Sequence, residues 1–145
     1  LLTAAINSGA AWVDLEIEAD EAYREPLMKL AKEKGCKVII SYHDYDKTPD
    51  LDDLVQLCYN AHGMGADLIK LACSCKTKLD VLNLLELYRL KLPILALGMG
   101  RLGAITRIAA LELGAPFTFV SFKGIAQTAP GQIDEDVLKD FMKKL

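Results

Sequence analysis

The chain has 145 residues, of which 52% are hydrophobic and 26% charged, and this composition favours one packed soluble domain over a disordered segment. Its 17 Lys and Arg against 20 Asp and Glu leave a net charge of −3 without a basic stripe, which argues against a nucleic-acid partner. No apolar run approaches the roughly 18 residues of a spanning helix, so no membrane partner is expected.

The start of the chain and its cysteines bear on its cellular context. The first residues, LLTAAINSGA, lack an initiator Met and the basic beginning of a signal peptide, so we interpret the chain as one that begins within a domain. The 4 cysteines are too sparse and too irregularly spaced for a disulfide framework. We therefore expect a cytoplasmic location, where thiols stay reduced.

Strand and helix patterns alternate along the chain. WVDLEIE (12–18) alternates apolar and acidic side chains as a half-buried strand does. Thr77 and Asp80 have the spacing of a capping box, which marks the start of a helix. Five runs predict strands, at 12–18, 37–42, 67–72, 93–98 and 117–122. Each is followed by a predicted helix, at 21–35, 50–64, 77–91, 103–113 and 134–144.

This order of elements predicts an α/β fold with a parallel sheet, because only crossover connections return the chain to the same end of the sheet. Two architectures compete. The length favours an open doubly wound sheet, since a (βα)8 barrel takes eight strands and about 250 residues. The candidate site residues favour the barrel, because they follow the carboxyl ends of several successive strands instead of one switch point. These residues are Glu16, Glu18, His43, Asp44, Lys70, Met99 and Gln132.

Lys70 lies inside DLIKLA (67–72), a predicted strand that a parallel sheet would bury on both faces. Lysine is rarely buried unless it is paired or functional. Burial disfavours the charged ammonium and leaves a free amine that can attack a carbonyl carbon. Lys70 is therefore a candidate Schiff-base nucleophile. The structural alternative is a lysine at a strand end whose ammonium reaches solvent.

His43 follows the neighbouring predicted strand in VIISYHD, so its ring is expected at the same mouth as Lys70. An imidazole takes up and returns a proton near neutral pH, which suits a general acid or base. The structural alternative is a histidine that is hydrogen-bonded beside Asp44.

Two further motifs resemble cofactor-binding patterns but each lacks a required residue. Residues 98–103 fit G-x-G-x-x-G between a strand and a helix, the pattern of dinucleotide binding. The acidic residue expected about 20 positions later is absent, because Lys123 follows FTFVSF (117–122) at that point. We therefore expect the glycine-rich loop to shape the site and not to bind a dinucleotide. Cys73 and Cys75 form C-x-C without a second ligand pair, which argues against zinc.

Four segments occur in the order typical of one enzyme family. They are SYHDYDKTP (41–49), GADLIKLA (65–72), GMGRLGAITRIAALELGAPFTF (98–119) and TAPGQI (128–133). Together they resemble type I 3-dehydroquinate dehydratase, a lyase of the shikimate pathway of aromatic amino acid biosynthesis. The resemblance covers nearly the whole chain.

The resemblance implies a (βα)8 TIM barrel, of which residues 1–145 would form a single partial domain. We expect about five C-terminal βα units and an absence of the N-terminal strands. Open barrel edges expose strands and apolar surface. We therefore expect the chain to be the C-terminal part of a longer polypeptide or to pair with another chain, and the complete enzyme to be a homodimer.

The resemblance also implies roles for individual residues. Lys70 would form an imine with the C3 ketone of 3-dehydroquinate, and His43 would be the general acid/base on the way to 3-dehydroshikimate. Arg107, Thr128 and Gln132 would bind the substrate carboxylate. Neither a metal nor an organic cofactor is implied. Two alternatives stay open: another imine-forming barrel lyase or aldolase, and an inactive fragment or assembly partner of such an enzyme.

Overall fold

Within residues 1–124 and 129–144, which the computed structural model describes, four parallel strands form one sheet. The strands are β1 (Trp12–Glu16), β2 (Lys37–Asp44), β3 (Leu68–Ser74) and β4 (Ile94–Met99). The helices are α1 (Leu2–Asn7), α2 (Glu21–Lys34), α3 (Leu51–Gly63), α4 (Lys78–Glu86), α5 (Gly100–Glu112) and α6 (Glu135–Met142), and a 3-10 turn at Leu87–Arg89 follows α4.

The strands lie side by side in chain order, and every pairing is parallel. The predicted α/β class is therefore confirmed. An order without reversal has no topological switch point, which distinguishes this sheet from the open doubly wound sheet that the chain length favoured. Consecutive parallel strands joined by helices are the arrangement of a (βα)8 barrel.

The fifth predicted strand, 117–122, does not form in the described residues. The segment makes one isolated parallel bridge, between Ser121 and Asp134, and Ser121 hydrogen-bonds to the chain on either side of Asp134 instead of to β4. Phe117 and Phe119 are partly buried without joining the ladder, whereas Phe122 is exposed, and Phe117 packs edge-on against Trp12 with ring centroids 5.5 Å apart. Strand-forming residues are those whose side chains fit a half-buried surface, and packing against Trp12 provides such a surface without a strand ladder. The prediction of five strand–helix units is therefore not confirmed, and the described residues form four.

β2 and β3 each extend two residues beyond their predicted ends, and β4 extends one, at the edge where the polar residues lie. β2 continues through His43 and Asp44, and β3 continues to Ser74. The polarity of these residues suggested a loop, yet the ladder still pairs Asp44 with Cys73. His43 is consequently held on a regular strand.

Helix ends follow the signals in the sequence. Gly35 ends α2 in the left-handed conformation, with a φ of 68° that favours glycine. The predicted capping box at α4 is confirmed: the Thr77 amide donates to Asp80 Oδ2 at 2.8 Å, and the Asp80 amide donates to Thr77 Oγ1 at 3.2 Å. α4 is shorter than predicted because the chain tightens into the 3-10 turn.

Both faces of the sheet are covered by apolar side chains, which is why β3 and β4 are buried and largely hydrophobic, with Lys70 as the charged exception in β3. One face packs against the helices through residues such as Ile40, Leu71 and Ala96. The other face forms a smaller cluster around Leu95 and Leu97, to which the segment after α5 contributes its aromatic rings. Among the described residues, no helix is both long and apolar enough to cross a membrane.

Candidate active site

Strand alternation brings the predicted site residues to one face of the sheet. Side chains two residues apart on a strand share a face, so Ser41 and His43 of β2 point to the same side. The register places Ser41 between Lys70 of β3 and Glu16 of β1. Asp14, two residues before Glu16, joins them. This face carries the smaller apolar cluster, and the polar side chains lie at its carboxyl edge.

A cavity of about 160 Å³ opens at this edge, and Lys70, His43, Arg107 and Gln132 all line it. The cavity is completed by Tyr45, Ala72, Leu97, Met99, Phe119 and Ala129. The fifth predicted site residue, Thr128, lies outside the described residues. A larger open groove of about 640 Å³ lies at the opposite end of the sheet and contains none of the predicted site residues.

Lys70 is buried as the sequence predicts, with 8% of its surface exposed, so the solvent-reaching alternative does not apply. Its Nζ lies 2.5 Å from Asp14 Oδ2 and donates a hydrogen bond to that oxygen. The same atom sits 4.9 Å from the centre of the Phe119 ring, on the electron-rich face that attracts cations. A carboxylate and an aromatic face therefore fix the position of the amine.

His43 is paired with a carboxylate on the first strand. Its Nδ1 lies 2.6 Å from Glu16 Oε1, at ion-pair distance although out of line for a hydrogen bond. The ring stacks on Tyr45 with an interplanar angle of 13° and centroids 6.2 Å apart. Contacts at Nδ1 and on one ring face leave Nε2 as the nitrogen available to a ligand.

Asp44 is not the partner of His43, because its described hydrogen bonds go to other groups. Asp44 Oδ1 accepts hydrogen bonds of 2.9 Å from the amides of Asp46 and Lys47, and Oδ2 accepts from the hydroxyl of Tyr42 at 3.3 Å. Burial by itself would raise the pKa of Asp44, but these amide hydrogen bonds outweigh burial and lower the pKa. Asp44 shapes the turn that follows β2.

Arg107 of α5 is a buried cation, 2% exposed, whose described partners are backbone carbonyls. Its Nε donates to Gly131 O and its Nη1 to Phe119 O, both at 3.2 Å. Burial lowers its pKa from the usual value, although a guanidinium remains charged in proteins. No carboxylate of the described residues forms an ion pair with it. The buried charge thus suits an anionic ligand in the adjoining cavity.

The glycine-rich turn at 98–103 packs backbone against backbone. A Cβ on Gly98 would lie 2.6 Å from the Cα of Gly103, so β4 and α5 touch at these two glycines. Gly100 has a φ of 80° and donates its amide to Pro130 O at 3.0 Å. That amide is engaged by the chain itself, which supports the expectation that the turn shapes the site.

Gly103→Ala is expected to destabilise the protein by about 1–3 kcal/mol or more, because the added methyl would overlap the backbone of Gly98. Helix propensity alone predicts the opposite sign, since alanine favours a helix over glycine by about 1 kcal/mol. Gly63→Ala at the end of α3 is the matched control, because a Cβ there meets nothing within 4 Å. Urea unfolding of both variants measures the difference, and equal stabilities would contradict the packing argument.

The cysteines are buried free thiols. Burial raises the pKa of Cys58 and of Cys73 to about 12, which leaves almost no thiolate at neutral pH. Within the described part of the chain, no group of three or more His, Cys, Asp or Glu side chains could hold a metal ion.

The contacts of Asp14 and Glu16 are the part of the site that sequence reasoning missed. The acidic alternation of β1 was visible, and Glu16 lay among the candidate residues, but neither carboxylate was assigned a partner. A useful signal was present, because β1 places carboxylates on one face of a strand whose other face is buried.

Comparisons with known proteins agree with this geometry. The family model of type I 3-dehydroquinase matches residues 1–144. The 3-dehydroquinate dehydratase of Methanocaldococcus jannaschii is 40% identical over 147 residues, which cover 99% of this chain and 64% of that relative.

Solved structures that are similar over 99% of this chain include the following two. The 3-dehydroquinate dehydratase of Geobacillus kaustophilus has a TM-score of 0.86 and 33% identity, with 57% of that chain covered. The type I enzyme of Clostridium difficile, solved with covalent modified comenic acid, has a TM-score of 0.88 and 30% identity, with 59% covered.

The chain spans less than two-thirds of the length of these relatives. Over that length it shares their TIM-barrel-like parallel α/β arrangement. Since the family model covers all but the last residue, the chain belongs to the type I 3-dehydroquinase family.

Proposed function

We propose that this chain carries the reacting residues of a 3-dehydroquinate dehydratase, a hydro-lyase that forms 3-dehydroshikimate through a Schiff base on Lys70. The observation that carries the proposal is one small cavity lined by a buried lysine, a carboxylate-paired histidine and a buried arginine. The substrate offers a ketone, an acidic C–H and a carboxylate, and each of the three side chains has one of these groups to act on. The shikimate pathway, a cytoplasmic location and a homodimeric complete enzyme belong to the same proposal.

The first step is imine formation. The free amine of Lys70 adds to the C3 carbon of the ketone, and the ketone oxygen leaves as water. The product is an imine, in which C3 is joined to Nζ by a double bond, and uptake of one proton at Nζ makes it an iminium. An iminium withdraws electrons more strongly than a ketone does, so the neighbouring C2–H becomes acidic enough for a weak base.

His43 then moves the proton. Its imidazole removes the C2 proton and returns a proton to the C1 hydroxyl, which leaves as water while a C1–C2 double bond forms. Water then hydrolyses the imine and releases Lys70. Glu16 holds the ring at Nδ1, and a contact at one ring nitrogen determines which nitrogen faces the substrate.

Arg107 is assigned to the substrate carboxylate. A guanidinium binds a carboxylate through two parallel hydrogen bonds, and the buried position of Arg107 strengthens such a pair. Gln132 lines the same cavity, and Thr128 completes the pocket in this proposal. The Clostridium difficile relative was solved with covalent modified comenic acid, which supports a covalent step in this proposal.

The test is covalent trapping. The protein is incubated with 3-dehydroshikimate and borohydride, which reduces an iminium to a stable secondary amine, and the intact mass is then measured. We expect an adduct on the wild-type protein and none on Lys70→Ala. A folded wild-type chain without adduct, or an adduct that persists in Lys70→Ala, would contradict the proposal.

A further inference from the structure

The acidic face of β1 reaches across the sheet to the proposed nucleophile. Asp14 lies on β1 and Lys70 on β3, with β2 between them. In register, β2 presents the small, buried Ser41 beside Lys70, which leaves room for the lysine side chain to cross. The Asp14 carboxylate thereby meets Nζ at 2.5 Å from two strands away.

We propose that Asp14 is the counter-ion of the Lys70 nitrogen, first as the ammonium of the resting protein and then as the iminium of the Schiff base. The inference rests on the proposed function, which supplies the iminium. The cation on Nζ persists through both states, so a fixed carboxylate favours both of them over their neutral forms.

The surroundings of Nζ explain why a counter-ion is needed there. The other titratable or charged side chains that line the cavity are His43 from β2, Tyr45 after it, and Arg107 from α5. Arg107 brings a second positive charge into a cavity of about 160 Å³. Glu16 is engaged with His43, so among the described residues Asp14 is the carboxylate in contact with Nζ.

Asp14 also provides a place for the proton during imine formation. The ammonium of Lys70 gives one proton to the Asp14 carboxylate, and the neutral amine adds to the ketone carbon. A second proton moves from nitrogen to oxygen and gives the carbinolamine. The Asp14 proton then goes to the departing hydroxyl, so one ketone and one ammonium become one iminium and one water, and Asp14 is again a carboxylate.

Removing the charge has two effects of opposite direction. In Asp14→Asn, the Lys70 nitrogen loses the carboxylate that accepts its hydrogen bond, so the amine is freer to react with an electrophile. The iminium loses the same partner, so a smaller fraction of protein carries it at equilibrium. A merely structural role for Asp14 would not raise one readout while lowering the other.

The experiment labels Lys70 with trinitrobenzenesulfonate across a pH series, with peptide mass mapping, and in parallel traps the 3-dehydroshikimate imine with borohydride. We expect Lys70 labelling to rise about tenfold and trapping to fall about tenfold in Asp14→Asn, from the effect of one adjacent opposite charge. Asp14→Glu keeps the charge and is expected to restore both readouts toward the wild type. Glu33→Gln, an equal charge change on an exposed residue of α2, is expected to alter neither.

The labelling readout separates this inference from the proposed function, because it needs no substrate. Unchanged labelling in Asp14→Asn overturns the inference even where the wild-type protein forms the adduct. Absence of the adduct in the wild type overturns the proposed function and with it the iminium part, while labelling still decides whether Asp14 pairs with the ammonium. Should Asp14→Asn fail to fold, Asp14→Ser gives the same comparison.

Discussion

His43→Gln is expected to lower the rate of dehydration by about 100-fold to 10,000-fold and to leave the Lys70 imine in place. The amide of glutamine fills part of the space of the ring but cannot accept and return a proton near neutral pH. Imine formation needs the amine of Lys70, whereas removal of the C2 proton needs the imidazole. The dehydration is followed by absorbance of the conjugated product, and the imine by borohydride trapping and intact mass.

The control for this variant is His62→Gln. His62 is the second of the 2 histidines; it lies exposed in the last turn of α3 and does not line the cavity. We expect it to keep both activities. If His43→Gln also lost the trapped adduct while remaining folded, His43 would act in imine formation and the division of roles would be wrong.

Arg107→Lys is expected to weaken binding of 3-dehydroshikimate by about 10-fold to 100-fold, because a lysine ammonium cannot form the two parallel hydrogen bonds of a guanidinium. It also loses the hydrogen bonds of the guanidinium to Gly131 O and Phe119 O, which hold the two chain segments beside the cavity. The dissociation constant is measured by isothermal titration calorimetry, and thermal unfolding is measured on the same sample.

Arg101→Lys makes the same exchange in the first turn of α5, at an exposed position. Its affinity and its unfolding temperature are expected to match those of the wild type. Equal affinities of Arg107→Lys and Arg101→Lys would show that Arg107 does not bind the substrate carboxylate and that its role is structural.

Much of the site was accessible from the sequence because it depends on local patterns. A lysine within an apolar strand pattern signals a buried amine, and Lys70 is buried. A period of two residues fixes which side chains share a face, so His43 and Lys70 were expected at one edge, and they line one cavity. Glycine at the left-handed end of α2 and the capping box of α4 are likewise set by neighbours in the chain.

The expectations that differ from the structure depend on partners distant in sequence. Residues 117–122 have strand composition, yet their hydrogen bonds go to the chain beside Asp134, and Phe117 packs on Trp12. Strand propensity describes a side chain that fits a half-buried surface and does not specify which ladder, if any, completes it.

The sequence by itself determined the α/β class, the faces of the four strands and the identity of the buried lysine, because backbone geometry repeats over a few residues and apolar side chains avoid water. Only the tertiary structure decided that Asp14 pairs with Lys70, that Glu16 pairs with His43, and that Arg107 is buried against two carbonyls. These contacts join residues from different strands and helices. Their formation depends on strand order and register, which a local pattern does not encode.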